Sequence, residues 1–227
     1  LPVKDMSMFP RMVLPMLVGE DRHQRLVDEA LSGDKIVGLV AMQPDMNAED
    51  IKDADDIYEI GVAALILKMS KGDEGVRLVA QGLTRFIIHE IVRTKPFLMA
   101  KVKAVSDIPS SDMETMALIS NLRALFAKML ELSPHLPDEL SSIASGLDDA
   151  GALCDMVASA LNISPDERQS VVEALEVKDR LRVVTNLVNR EIQVLELGSK
   201  IQSQVKEGLD KTQREYYLRQ QLKAIQQ

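Results

Sequence analysis

Residues 57–92 read IYEIGVAALILKMSKGDEGVRLVAQGLTRFIIHEIV, and this stretch decides the fold. Two runs rich in Val, Ile, Leu and Phe, residues 57–69 and 76–92, flank Lys71-Gly72-Asp73-Glu74-Gly75. Two glycines in that link can take the positive φ angles of a tight turn, so the stretch predicts a hairpin of two long antiparallel strands. Gly82 interrupts the second strand near its middle. A glycine inside a strand marks a bulge or sharp bend, the kind that curls a small sheet toward closure.

Toward the N-terminus, residues 36–42 are a continuous apolar run, expected of a strand buried on both sides and central in its sheet. Residues 45–56 are acidic and aperiodic and read as a solvated loop. Glu20-Asp21-Arg22 leads into Leu26, Val27, Ala30 and Leu31 at helical spacing, with Gly33 just beyond. That is the single helix expected in this half of the chain. In residues 12–19 an apolar run carries Pro15, which has no N–H for a ladder, so the run belongs at an edge or a bulge. Beyond the hairpin, Leu98, Ala100, Val102 and Ala104 alternate with Met99, Lys101 and Lys103, marking a last strand over residues 97–105. About six strands and one helix predict a compact, partly closed β-barrel-like lobe over residues 1–107.

After Ile108-Pro109-Ser110-Ser111 the period changes to 3.6. Asp112 is placed to cap a helix striped by Leu118, Leu122, Leu125, Phe126, Met129 and Leu130 and ended before Pro134. Shorter helices are expected over residues 137–144 and 148–161. Ser164-Pro165-Asp166-Glu167 then supplies an N-cap serine, a first-turn proline and a capping-box glutamate. Short linkers and no solenoid repeat predict a small bundle over residues 108–178. From Asp179 onward, Leu181, Val184, Val188, Ile192, Leu195, Ile201, Val205 and Leu209 recur at three- and four-residue steps, with no proline after Pro165. One long helix over residues 179–227 is expected. Gly198 and Gly208 lie within it, each costing roughly 1 kcal/mol relative to alanine, and read as hinges. The expected fold class is therefore α+β.

Of 227 residues, 46% are hydrophobic and 27% charged, an ordinary globular balance that predicts folding. The formal net charge is −8, divided into +3 over residues 198–227 and −11 over the rest. Such a field repels phosphate backbones and makes nucleic acid a disfavoured partner. One cysteine, Cys154, permits no intrachain disulfide, and no stretch resembles a bilayer span or signal peptide, so a cytoplasmic protein with no membrane partner is expected. Starting at Leu1 and ending at Gln227 within an uncapped helical pattern, the chain reads as a piece of a longer protein. Twelve methionines against no tryptophan, three tyrosines and four phenylalanines predict apolar surface built from flexible side chains.

The residues also resemble a known family. Leu1-Pro2-Val3, Phe9-Pro10 with Met12, and Pro15-Met16-Leu17-Val18-Gly19 are similar to the opening of the amino-terminal domain of Lon proteases. The similarity continues through residues 37–43, 60–63 and 81–86. It is most specific over residues 213–226, QREYYLRQQLKAIQ, which resemble the Lon signature on the helix preceding the ATPase module. The resemblance implies a PUA-like β lobe, a helical bundle and the start of a neck helix. It also implies a parent that is a homohexameric AAA+ serine protease. Such a parent uses ATP and Mg to unfold misfolded, damaged or short-lived regulatory proteins before degrading them in an enclosed chamber. The family's P-loop and Ser-Lys dyad match no position here, so no catalytic residue and no cofactor is expected in this chain. The role implied for it is that of a substrate-recognition and oligomer-gating region. The alternative is a PUA-like nucleic-acid-binding module, against which the acidity of residues 1–197 and the scarcity of aromatics both count.

Each candidate site residue competes with a plain structural role. His23, His89 and His135 lie far apart without metal-ligand spacing and are expected at the surface or in turns, with no metal site. Cys154, among Leu153, Met156 and Val157, is expected to be a buried inert thiol. Gly72-Asp73-Glu74-Gly75 lacks the lysine and helix of a phosphate loop. The sharper expectation concerns Met6, Met8, Pro10, Met12, Pro15, Met16, Phe97 and Met99 as an adaptable apolar surface for extended peptides. The competing reading puts the methionines in the core, although Val13, Leu14 and Leu17 are expected to take most core positions there. On the long helix, a heptad-like seam and the basic shift predict contacts between subunits or with substrate through Ile201, Val205, Leu209, Tyr216, Tyr217 and Leu222.

Overall fold

A computed structural model describes the chain except residues 5–7, 45, 47–50, 52–53, 73–74 and 226–227, with side chains described as far as residue 206. Strands β1 (Pro2–Val3), β2 (Val13–Val18), β3 (Ile36–Ala41), β4 (Ile60–Gly72), β5 (Gly75–Arg93) and β6 (Met99–Val105) form one sheet. Helix α1 (Asp21–Ser32) falls between β2 and β3. The remaining helices follow the sheet in sequence: α2 (Met113–Glu131), α3 (Glu139–Gly146), α4 (Ala150–Ala160), α5 (Pro165–Glu173) and α6 (Val177–Ile225).

The hairpin is the spine. β4 pairs antiparallel with β5 from Gly72↔Gly75 to Ile60↔Ile87. Of the two turn glycines, only Gly75 takes a positive φ, 126°, while Asp73 and Glu74 lie outside the described residues. On its other edge β5 carries two partners in succession: β2 along residues 76–81 and β6 along residues 85–93. The handover is the bulge expected at Gly82, where Gly82↔Ala64 is followed by Thr84↔Ala63. Here Arg11 N–H donates to Gly82 O at 2.8 Å and Gly82 N–H to Met12 O at 2.9 Å. A Cβ on Gly82 would lie 2.2 Å from Phe9 O, so this close backbone approach requires glycine.

The strand order is β1-β3-β4-β5-β2, with β6 branching from β5. The expected partial barrel is corrected to an open, curled sheet: β1 and β2 end the order without pairing each other. β1 contributes only Pro2 and Val3, paired with Val40 and Ala41, and Pro15 denies β2 one ladder donor, so neither end can extend the ladder far. Ala54–Asp56, within the expected acidic loop, forms a single 3-10 turn, and neighbouring Ile51 is buried.

Of the three β2 residues expected in the core, only Leu14 packs against it, half-buried. Met16 and Val18 are buried, whereas Val13 and Leu17 are 50% and 54% exposed. A strand turns alternate side chains to opposite faces, so a one-residue shift moves the whole set.

The cap expected at Asp112 forms, its side chain accepting from Thr115 N at 2.7 Å, and α4 has a further cap in Asp149, which accepts from Gly151 N at 2.9 Å. Ser164 and Glu167 close a reciprocal capping box. One contiguous apolar core runs from Phe9, Leu39 and Leu78 of the sheet half to Phe126, Leu153, Val172 and Leu181 of the helical half. Inside it, two arginine forks tie the halves together. Arg85 of β5 donates to both oxygens of Asp155 on α4, at 2.6 and 3.0 Å, and to Val172 O. Arg180, in the first turn of α6, donates to both oxygens of Asp107, at 2.7 and 2.9 Å, and to Ala174 O. Burial raises the Asp155 carboxyl above the usual carboxylate range, against the pull of the two guanidiniums.

At 49 residues, α6 is about 73 Å long. Leu181, Val184, Val188 and Ile192 are buried against the bundle, and beyond them Val194, Leu197, Ile201 and Val205 are 51–59% exposed. The helix continues through Gly198 and Gly208.

Candidate functional site

A cleft of about 440 Å³ lies where α1, β3, β5 and β6 meet. One wall is β6, with Met99, Ala100 and Val102 and the preceding Leu98, and another is α1 with the start of β3. Ile88 and Phe86 of β5 form the floor, and Ile88 sits opposite Val102 in the β5/β6 register. The Phe86 ring lies against Gly38, filling the space where a side chain would project. Ile36, Met99 and Val102 stand 40%, 43% and 51% exposed, so a segment entering the cleft meets apolar side chains already partly in water. At about 25 cal/mol per Å² of apolar surface removed from water, covering such side chains gives a non-directional attraction.

The expected peptide-binding residues are not brought together. Phe97 and Met99 line the cleft, although Phe97 is buried. Its ring is covered by the Arg93 guanidinium, 5.0 Å from the centroid. Pro15 and Met16 belong to a second, more open apolar surface of about 590 Å³, with Leu17, Met69 and Val79 and the basic Lys68 and Arg77. Pro10 sits by Arg11 and Thr84 in a third place. Met8 and Met16 are buried, which corrects the expectation of exposure for both; Met12 is half-buried and Met6 lies outside the described residues. Sequence reasoning missed Leu26, Ala30, Ile36, Val40, Phe86, Ile88 and Val102. The alternation in residues 98–104 was the one signal present: it gave β6 an apolar face without naming anything to cover it.

On α6, Ile201 and Val205 stand exposed, with no core contact among the described residues, while the side chains of Leu209, Tyr216, Tyr217 and Leu222 lie outside the described residues. His23 departs from expectation, being buried in α1 with Nδ1 3.6 Å from Glu20 Oε2. Burial and then Arg22 lower its pKa to about 4, so it is neutral at pH 7. His89 and His135 are exposed. Cys154 is fully buried, and burial pushes its thiol up to about 12, which removes the nucleophilic thiolate. Among the described residues no group of three or more His, Cys, Asp or Glu is placed to hold a metal ion, and no helix is long and apolar enough to cross a membrane.

Residues 1–190 match the family model of the ATP-dependent protease La (LON) substrate-binding domain. The chain is 41% identical over its whole length to a Lon protease of Syntrophus aciditrophicus and 39% identical to one of Desulfosudis oleivorans. It spans 29% and 28% of those relatives, so it corresponds to less than a third of each. In structure it is similar to the N-terminal domain of Mycobacterium avium complex Lon protease, with a TM-score of 0.68, 24% identity, and coverage of 83% of this chain and 96% of that one. A Lon N-terminal domain protein from Xanthomonas campestris matches with a TM-score of 0.56, 18% identity, and coverage of 80% and 92%. Both share the mixed α+β fold. By the match over residues 1–190, and with a fold shared with two Lon N-terminal domains, the chain belongs to the family of LON substrate-binding domains.

Proposed function

We propose that this chain is the recognition region of a Lon-type ATP-dependent serine protease and captures extended apolar segments of unfolded or damaged proteins in the cleft between α1, β3 and β6. The observation that carries this is the exposure of Ile36, Met99 and Val102 around one apolar hollow. Residues 1–107 form the recognition lobe, residues 108–178 the bundle, and residues 179–227 the neck. The neck leaves the body with Ile201 and Val205 uncovered, which supports self-association of necks into the homohexamer of the parent and a gating role along that path. ATP, Mg and peptide hydrolysis belong to the parent, which works in the cytoplasm, and this chain catalyses nothing by itself. The nucleic-acid alternative is not favoured, since residues 1–197 carry a net charge of −11.

The test is binding of a fluorescently labelled, permanently unfolded polypeptide, followed by anisotropy. The Ile36→Asp/Val102→Asp variant should bind at least several-fold more weakly with an unchanged circular dichroism spectrum, and single-stranded RNA should not bind at moderate salt. Undiminished binding by the variant, or preference for RNA, would overturn the proposal.

A further inference from the structure

We infer that the cleft prefers apolar segments flanked by lysine or arginine, read by Glu29 and Asp34 at its rim. The inference deepens, and rests on, the assignment of the cleft as the place of capture. Among the described residues Glu29 and Asp34 are the only charged side chains lining it, and both are exposed. Among the described residues, too, neither forms a salt bridge. Asp34 Oδ1 accepts the Ile36 N–H at 3.1 Å, which fixes the carboxylate at the cleft mouth, beside one of the exposed apolar side chains.

The neighbouring charges are differently disposed. Asp28, one position before Glu29, is held by Lys71 at 2.8 Å. Across the cleft, Lys101 of β6 is tied to Glu90 at 2.6 Å, and Arg93 is engaged with Phe97 and with Met99 Sδ. Lys35 and Lys103 are exposed and form no ion pair with the rim. Among the described residues two carboxylates on one wall of an apolar hollow are thus left without an ion-pair partner, with Arg25 and Lys35 nearby in sequence but unpaired with them, and can take cations from outside. Around them lies a body of net charge −11, which adds long-range attraction for basic segments. An occupant that inserts apolar side chains between α1 and β6 places its flanking residues at this rim. Lysine and arginine suit that position, since their aliphatic stems pack on apolar surface while the cationic ends reach the carboxylates.

The experiment uses short unstructured peptides with one apolar core flanked by Lys, Ser or Glu, titrated by anisotropy against the chain and its Glu29→Gln/Asp34→Asn variant. Lys-flanked peptides should bind tighter than Ser-flanked ones by about threefold to tenfold at low salt, and Glu-flanked ones more weakly. The order should collapse in the variant and flatten as salt screens the exposed charges. Binding that ignores the flanks would overturn the preference and leave capture by the cleft standing. A lysine preference that survives in the variant would overturn the assignment to Glu29 and Asp34. If no peptide bound at all, both the capture reading and this inference would fall.

Discussion

Asp155 illustrates how much one residue carries when its partner cannot reach water. The Arg85 guanidinium is 2% exposed and bonded to both Asp155 oxygens and Val172 O, with Asp107 Oδ1 3.6 Å away, so removing Asp155 leaves two buried guanidiniums, Arg85 and Arg180, to share the single carboxylate of Asp107. Asp155→Ala should destabilise the chain by about 3–5 kcal/mol in urea unfolding, because uncompensated buried charge costs far more than an exposed pair gains. An effect as small as a surface substitution would show that water reaches the cluster. Glu167 stands at the opposite extreme. Its carboxylate, hydrogen-bonded by Arg190 and by the Ser164 N–H of its capping box, is held at about 2, below the ordinary 4.5. A depressed folded pKa contributes stability above the unfolded value, and that contribution disappears as pH falls toward the folded one. Glu167→Gln should therefore lower Tm at neutral pH, with the gap to the unsubstituted chain closing between about pH 4.5 and 2. A gap that stayed constant over that window would remove the ion pair from the account.

Strand β2 carries six residues that are apolar at both parities, so its sequence specifies a strand without specifying which face turns inward. Met16 points to the core and Leu17 outward, the reverse of what hydrophobicity alone suggests for a leucine beside a methionine. Met16→Ser should cost roughly 2–4 kcal/mol in stability while Leu17→Ser costs under about 1 kcal/mol, measured by thermal unfolding. Equal costs would mean that the register is wrong. Elements whose signals are local were readable: the hairpin, the Gly82 bulge, the edge role of Pro15, the Asp112 cap and the Ser164–Glu167 box all depend on neighbours within a few positions. Sheet closure was not readable, since it depends on which strands share the second edge of β5. The cleft was unreadable for the same reason, as Leu26, Ile36, Ile88 and Val102 come from four separate elements. The burial of His23 likewise reflects packing of α1 rather than its own sequence surroundings. For α6, replacing Ile201, Val205 and Leu209 with glutamate should leave the Tm of this chain unchanged, since Ile201 and Val205 touch no core. In the parent protease the same change should impair degradation of folded proteins far more than cleavage of short peptides. Unchanged degradation of both would reduce the stripe to solvent-exposed helix.

In the whole molecule, a curled sheet, a bundle and the base of a long helix share one core, and the forks Arg85–Asp155 and Arg180–Asp107 fix the first turn of α6 to the body that carries the cleft. If the cleft captures polypeptide as proposed, these forks link the place of capture to the first turn of α6. The cleft itself needs no movement to form, because Gly38 leaves room for Phe86 and the bulges of β5 set the curl. The claim on which everything else depends is that unfolded polypeptide enters this cleft rather than the open face of β2, β4 and β5. Methyl-resolved NMR of the chain during titration with an unfolded polypeptide addresses it directly. The account predicts shifts of the Ile36, Ile88, Val102 and Met99 methyl signals, with those of Leu17, Met69 and Val79 left in place. Shifts confined to Leu17, Met69 and Val79, or no shifts at a polypeptide concentration where binding is saturated, would contradict it.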